Sequence, residues 1–135
     1  MGAPQTTDFE VLGPRFIHLG LHGKFTADEA TAVFDAIEER VKDEPYFLLE
    51  VDMSDVKGAS PESRRISAEK LGSLPPRAIA IVSQSFAQRM IAKLVLTAVS
   101  LLGDRHKNVS QYFSTQAEAH EWLLAYDKEQ SDKLA

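Results

Sequence analysis

Two histidines, a glutamate set in an apolar run, and a cluster of hydroxyl and guanidinium groups are the residues here whose types and spacing could do chemistry. His18 and His22 alternate onto one face of a strand, and Glu50 comes opposite His18 if that strand pairs with the run Tyr46 to Val51. A His–Glu pair can act as a general base or join a metal site. Two histidines four apart on a strand stand about 13 Å apart, too far for one metal ion. Polar pairs on an open strand face are also routine, so a structural or solvated role is favoured and no metal centre is expected. Ser60-Pro61-Glu62 reads as a helix start, which places Ser60 and Ser63 at or in a first turn. A phosphate there would meet free N–H groups and the positive end of a helix dipole. Serine is also a preferred N-cap, and that is the better-supported role for Ser60. Arg64, Arg65 and Lys70 make the same helix basic. They could attract an acidic partner or phosphate, or simply be solvated.

Other chemistry is excluded by composition. The chain has no cysteine, so disulfides, thiolate zinc sites and cysteine catalysis are ruled out. Ser, His and Asp all occur, but without a nucleophile elbow or a glycine-rich phosphate loop. The sequence therefore does not read as an enzyme, and it calls for no cofactor. A net charge of -5 and a pI near 5.3 argue against nucleic acid as a partner. Met90 to Leu102 is the longest apolar stretch, too short for a bilayer core of about 30 Å. Met1 to Asp8 is polar and lacks an apolar h-region, although Met1 to Thr6 fits the loose myristoylation pattern. A cytoplasmic location is expected.

The elements that must position these residues alternate in type. Phe9 to Leu12 and Phe16 to His22 read as strands joined by the turn dipeptide Gly13-Pro14. Thr26 and Glu29 form a capping box before a helix whose apolar face is Ala30, Val33, Phe34, Ile37 and Val41. Tyr46 to Asp52 is the third strand, followed by a loop containing Gly58 and a helix from Ser60 to about Gly72. Arg77 to Ser83 is the fourth strand, Phe86 to Leu102 the third helix and Val109 to Phe113 the fifth strand. Thr115 and Glu118 cap a last helix. The order predicts one α/β domain over 8–126, with residues 1–7 and 127–135 as flexible tails. It holds a single five-stranded, mostly parallel sheet with one antiparallel N-terminal strand. One strand face is cleanly apolar and the other mixed, which predicts four helices packed mainly on one face and a second face partly open. In the third helix Met90, Ile91, Leu94, Val95, Ala98, Leu101 and Leu102 read as the core stripe. Leu96 and Val99 then fall outside it, either as a dimer or partner face or as core under a neighbouring helix.

These elements resemble a STAS domain, most closely the SpoIIAA-like group related to anti-sigma-factor antagonists. Asp52-Met53-Ser54-Asp55-Val56 is similar to the D-L-S-x-V that ends the third strand in that family. Tyr112 to Leu123, YFSTQAEAHEWL, resembles the F-x-[ST]-x-x-E-A-x-x-W-L ending of the SpoIIAA-like branch. The resemblance implies a five-stranded α/β fold and a regulatory role. In antagonists it also implies a phosphorylated serine in D-S-S-G. Aligned without gaps from Asp52, that motif falls on Ser60 to Ser63, and the phosphorylated position on Pro61, which has no hydroxyl.

The combined expectation is a non-enzymatic module that docks a protein partner after the third strand, through Ser54, Asp55, Lys57, Gly58, Ser60, Ser63, Arg64 and Arg65. The alternative is a small-molecule or lipid-binding domain using an open sheet face lined by Phe16, His18, Tyr46, Leu48, Ile79 and Ile81.

Overall fold

The computed structural model describes residues 7–101 and 108–135. The tail and the myristoylation pattern of residues 1–6, and the end of the third helix at Leu102, lie outside them. The order is β1 (Asp8–Gly13), β2 (Phe16–Phe25), α1 (Ala27–Val41), β3 (Phe47–Ala59), α2 (Pro61–Gly72), β4 (Arg77–Val82), α3 (Phe86–Leu101), β5 (Asn108–Phe113) and α4 (Gln116–Leu134). The strands lie side by side in chain order. β1 pairs antiparallel with β2, and every later pair is parallel.

That topology decides where the helices go. Each crossover from β2 onward steps to the next strand in the same direction. Right-handed connections of that kind place their helices on one face. Accordingly α1, α2 and α3 pack on the face formed by Ile17, Leu19, Phe47, Leu49, Ile79 and Ile81. α4 follows the last strand, is bound by no crossover, and takes the other face through Ala119 and Leu123. The capping boxes form as the spacing predicts: Thr26 Oγ1 accepts from Glu29 N–H at 3.3 Å and Thr115 Oγ1 from Glu118 N–H at 3.2 Å.

Four expectations are corrected. The second face is not open under α4, because Tyr46 and Leu48 are each 2 % exposed beneath it. Ile79 and Ile81 do not share that face: parallel register sets them beside Leu49 and Val51, and it is Ala78, Ala80 and Val82 that meet α4. α4 continues past Tyr126, where the sequence reading starts a flexible tail. Tyr46, the buried residue just ahead of β3, bonds through Oη to Asp127 Oδ1 at 2.6 Å and Ser131 Oγ at 2.9 Å and so holds the last turns down. In α3 the stripe is rotated: Ala92 and Val99 are buried, Leu96 is partly buried against the core, and Leu94 and Leu101 face outward. A helix apolar on most of its circumference leaves its rotation to tertiary packing, here against α2 and the sheet.

Candidate functional site

β4 stops pairing at Asp52↔Val82, but β3 runs seven residues further, to Ala59. Over that length β3 pairs only with β2, from His22↔Asp55 to Phe25↔Ala59, as a two-stranded ribbon that overhangs the sheet. Ser54 to Ala59 is thus strand rather than loop, since Met53 and Val56 point inward and are buried. The ribbon's register slips near Gly23, whose φ of 62° is the left-handed conformation that glycine adopts without steric cost. The free side of β3 is partly satisfied by α3, whose Gln88 Nε2 donates to Ser54 C=O at 3.0 Å.

The overhang gathers most of the residues singled out in the sequence. Ser54, Asp55, Lys57 and Arg65 are exposed, while Gly58, Ser60 and Arg64 are half-buried. Ser63 is fully buried, so it offers no surface. Ser60 is the N-cap of α2: its Oγ accepts from Ser63 N–H at 3.1 Å, and Ser63 Oγ donates to Ser60 C=O at 2.8 Å. Both hydroxyls are consumed in closing the helix end. Ser60→Ala should therefore cost about 1 kcal/mol in urea unfolding. A variant as stable as wild type would show that the cap is dispensable. Arg65 is held by Glu69 at 2.5 Å and Glu62 at 3.5 Å, both across one turn of α2.

His18 and Glu50 do face each other across β2 and β3, but not on an open surface. Glu50 is completely buried and His18 nearly so. His18 Nδ1 bonds Glu50 Oε1, which also accepts from Gln116 Nε2 at 3.3 Å. His120 of α4 brings Nε2 to 2.8 Å from Glu50 Oε2, without the alignment of a hydrogen bond. Glu50 raises the His18 pKa through the hydrogen bond, against the opposing effect of burial. Sequence spacing missed His120 and Gln116, because the face of α4 that meets Glu50 is fixed only by packing. The signal available was Gln116 and His120 at i and i+4.

His22 stands apart, near the ribbon. Its Nε2 lies 2.8 Å from Asp8 Oδ2 on β1 and its Nδ1 2.8 Å from Asp55 Oδ2 on β3. Those two hydrogen bonds, Asp8 first, raise its pKa. Both ring nitrogens are occupied by carboxylates. Among the described residues no group of three His, Asp or Glu side chains is arranged for a metal ion.

Beneath α1, α2 and α3 lies an apolar cavity of about 90 Å³, bordered by Leu19, Phe34, Leu49, Ile79 and Leu96 with Arg64 at its margin. Small-molecule pockets run from about 300 to 1,000 Å³. This one is a packing void by that measure. No helix among the described residues is long and apolar enough to cross a membrane.

Comparison with known proteins agrees with this architecture. No curated protein matches the chain. Among solved structures, the chain is similar to an uncharacterized DUF3478-family protein with a SpoIIAA-like fold from Shewanella loihica PV-4. The TM-score is 0.63 at 15% identity, covering 91% of this chain and 98% of that one. The SpoIIAA-like family profile matches residues 16–124, from the start of β2 into α4. The chain belongs to the SpoIIAA-like family.

Proposed function

We propose that this domain is a non-enzymatic regulatory module that docks a protein partner at the β3 overhang and the first turn of α2. The family fold is one used for regulation and interaction and is typically without catalysis. The observation that carries the reading is the overhang itself. A strand end that outruns its neighbour keeps backbone donors and acceptors that no sheet partner uses, and such edges are where chains add on. Lys57 is an exposed cation on that edge, and Arg65, paired along α2 with the exposed Glu62 and Glu69, can exchange those partners for carboxylates of a docking surface. An acidic partner surface is the matching chemistry. With Pro61 where antagonists carry the phosphoserine, and with Ser60 and Ser63 spent on capping, docking here does not depend on serine phosphorylation.

The test is a double charge exchange, Lys57→Glu with Arg65→Glu, on partner captured from the native host. Both side chains are exposed, and the ion pairs that Arg65 makes are of the surface kind, so folding should be unaffected. Capture should fall about tenfold or more, and wild-type binding should weaken as salt is raised. Undiminished capture by the double variant would remove the site from this edge.

A second copy of the chain is the companion reading for α3. Phe86, Leu94 and Leu101 are 69%, 47% and 81% exposed along its outer side, more apolar surface than a lone helix face needs to show. Val99 is buried and Leu96 partly buried against the core, so the outer residues are better placed than these two for that contact. The ligand-binding alternative loses its platform where α4 covers Tyr46 and Leu48.

A further inference from the structure

The base of the overhanging ribbon is where the β2–β3 ladder is least regular. Its register slips between Gly20 and His22 and again between Gly23 and Lys24, so the pairs His22↔Asp55 and Gly23↔Val56 lie between two irregularities. Side chains tie the strands together there. The His22 ring, on β2, reaches Asp8 on β1 through Nε2 and Asp55 on β3 through Nδ1, each at 2.8 Å. An ionised carboxylate only accepts hydrogen bonds, so meeting both requires a proton on each ring nitrogen, which is the imidazolium cation. The neutral ring has one N–H and must turn a lone pair toward one of the two carboxylates. Gly20 prepares the approach from β1: a Cβ there would stand 3.0 Å from Oδ2 of Asp8, its register partner, and crowd the carboxylate. The other titratable side chains of these strands are Glu10 on β1, His18 and Lys24 on β2, and Glu50, Asp52 and Lys57 on β3. His18 and Glu50 bond each other beneath α4, and Asp52 Oδ1 accepts from Ser54 N–H at 2.9 Å. On the free side of β3, α3 presents the uncharged Gln88.

We propose that His22 is a proton-operated clasp at the base of the ribbon and, through Asp55, a regulator of the β3 docking edge. With its proton the ring joins β1 and β3 to β2 and offsets both carboxylates. Without it, the ring keeps one carboxylate as a hydrogen-bond acceptor and repels the other, and the edge becomes more negative by one charge. An acidic docking surface is then less well matched. The hydrogen bonds to Asp8 and then Asp55 raise the His22 pKa. The clasp is therefore complete below the ordinary value of about 6.5 and is lost as the pH climbs through the raised folded value. The regulatory step rests on the docking reading above; the clasp does not.

NMR of the full chain from about pH 5.5 to about pH 9 reads the clasp with no partner present. His22 should titrate with a midpoint above about 6.5, and the ¹H–¹⁵N signals of Gly23, Asp55 and Val56 should move with that midpoint. Asp8→Asn and Asp55→Asn should each lower the midpoint, and in His22→Gln the ribbon signals should stay still over the same interval. A midpoint at or below about 6.5 would overturn the clasp. So would ribbon signals that do not follow His22, or a midpoint that neither Asn variant moves. Docking is read separately, by titrating a synthetic glutamate-rich peptide at about pH 6 and about pH 8. Wild-type affinity should fall about threefold at the higher pH, the scale of one surface charge, and the affinity of His22→Gln should stay level. Equal wild-type affinity at the two pH values, or an equal fall in His22→Gln, would overturn the regulatory step alone. A peptide that does not bind, or that binds Lys57→Glu with Arg65→Glu undiminished, would overturn the docking reading and the regulatory step with it, and leave the clasp to stand or fall by the NMR result.

Discussion

His18→Leu should destabilise the protein by about 3–5 kcal/mol, because it leaves a fully buried carboxylate without its main partner. Gln116 and His120 still reach Glu50, the first at 3.3 Å and the second at 2.8 Å out of line, so part of the charge remains met. The loss belongs to the broken pair and not to the pair's net worth. His18→Leu combined with Glu50→Leu should recover most of it, since an apolar pair of similar volume often replaces a buried ion pair at little cost. Urea unfolding of the two singles and the double measures both claims. The pH dependence gives an independent signature. Glu50 raises the His18 pKa in the folded state, so the stabilisation is present in full below the unfolded value of about 6.5. It is lost as the pH climbs through the raised folded value. Wild type should weaken over that interval and the double variant should weaken less. His22 titrates in the same direction, but at an exposed site where salt screens it. A single-variant loss no larger than the 0–1 kcal/mol or so of an exposed pair would mean that the His18–Glu50 contact does not behave as a buried ion pair.

Val99→Glu should be worse still, about 4 kcal/mol or more, since it puts an unpaired carboxylate into the core where α3 meets Gly72 of α2. Leu94→Glu, five residues away on the same helix, should change stability by no more than about 0.5 kcal/mol. The pair of variants fixes the rotation of α3 by experiment. If a second copy covers the outer stripe, wild type sediments as a dimer at high concentration and Leu94→Glu as a folded monomer. A wild type that stays monomeric ends the self-association reading. A Val99→Glu protein as stable as wild type would place Val99 on the surface.

The fold was legible because its signals are local or follow from chain order. Thr26 and Thr115 mark helix starts by residue type, Gly13-Pro14 marks the hairpin, and the succession of strands and helices implies both the parallel sheet and its crowded face. What failed is what depends on contacts distant in sequence. Alternation within β4 could not say which of Ile79 and Ala80 faces α1 to α3 and which faces α4, because all six residues of that strand are buried. The extent of β3 was hidden because Asp52, Ser54, Asp55 and Gly58 look like a loop. They form a strand only because β2 extends beside them to Phe25. Ser60, Arg65 and the His18–Glu50 pairing could be read from type and spacing, whereas His120 and Gln116 could not. Their roles come from where α4 arrives in space.

The hairpin that opens the fold bears on how much chain the domain needs. The family profile begins at Phe16, the first residue of β2, and so omits β1. β2 carries ten residues, and Ile17, Leu19 and Leu21 on its inner face are all buried. Cut to the profile's span, the molecule would present that strand as a long apolar edge, the kind of template on which chains stack and precipitate. β1 occupies the edge instead and puts Asp8 and Glu10 in the outermost row. Like charges there discourage a neighbour from adding a further strand. β1 thus acts as a guard against edge-to-edge aggregation, a duty that matters most while the chain is newly made and crowded by its own copies.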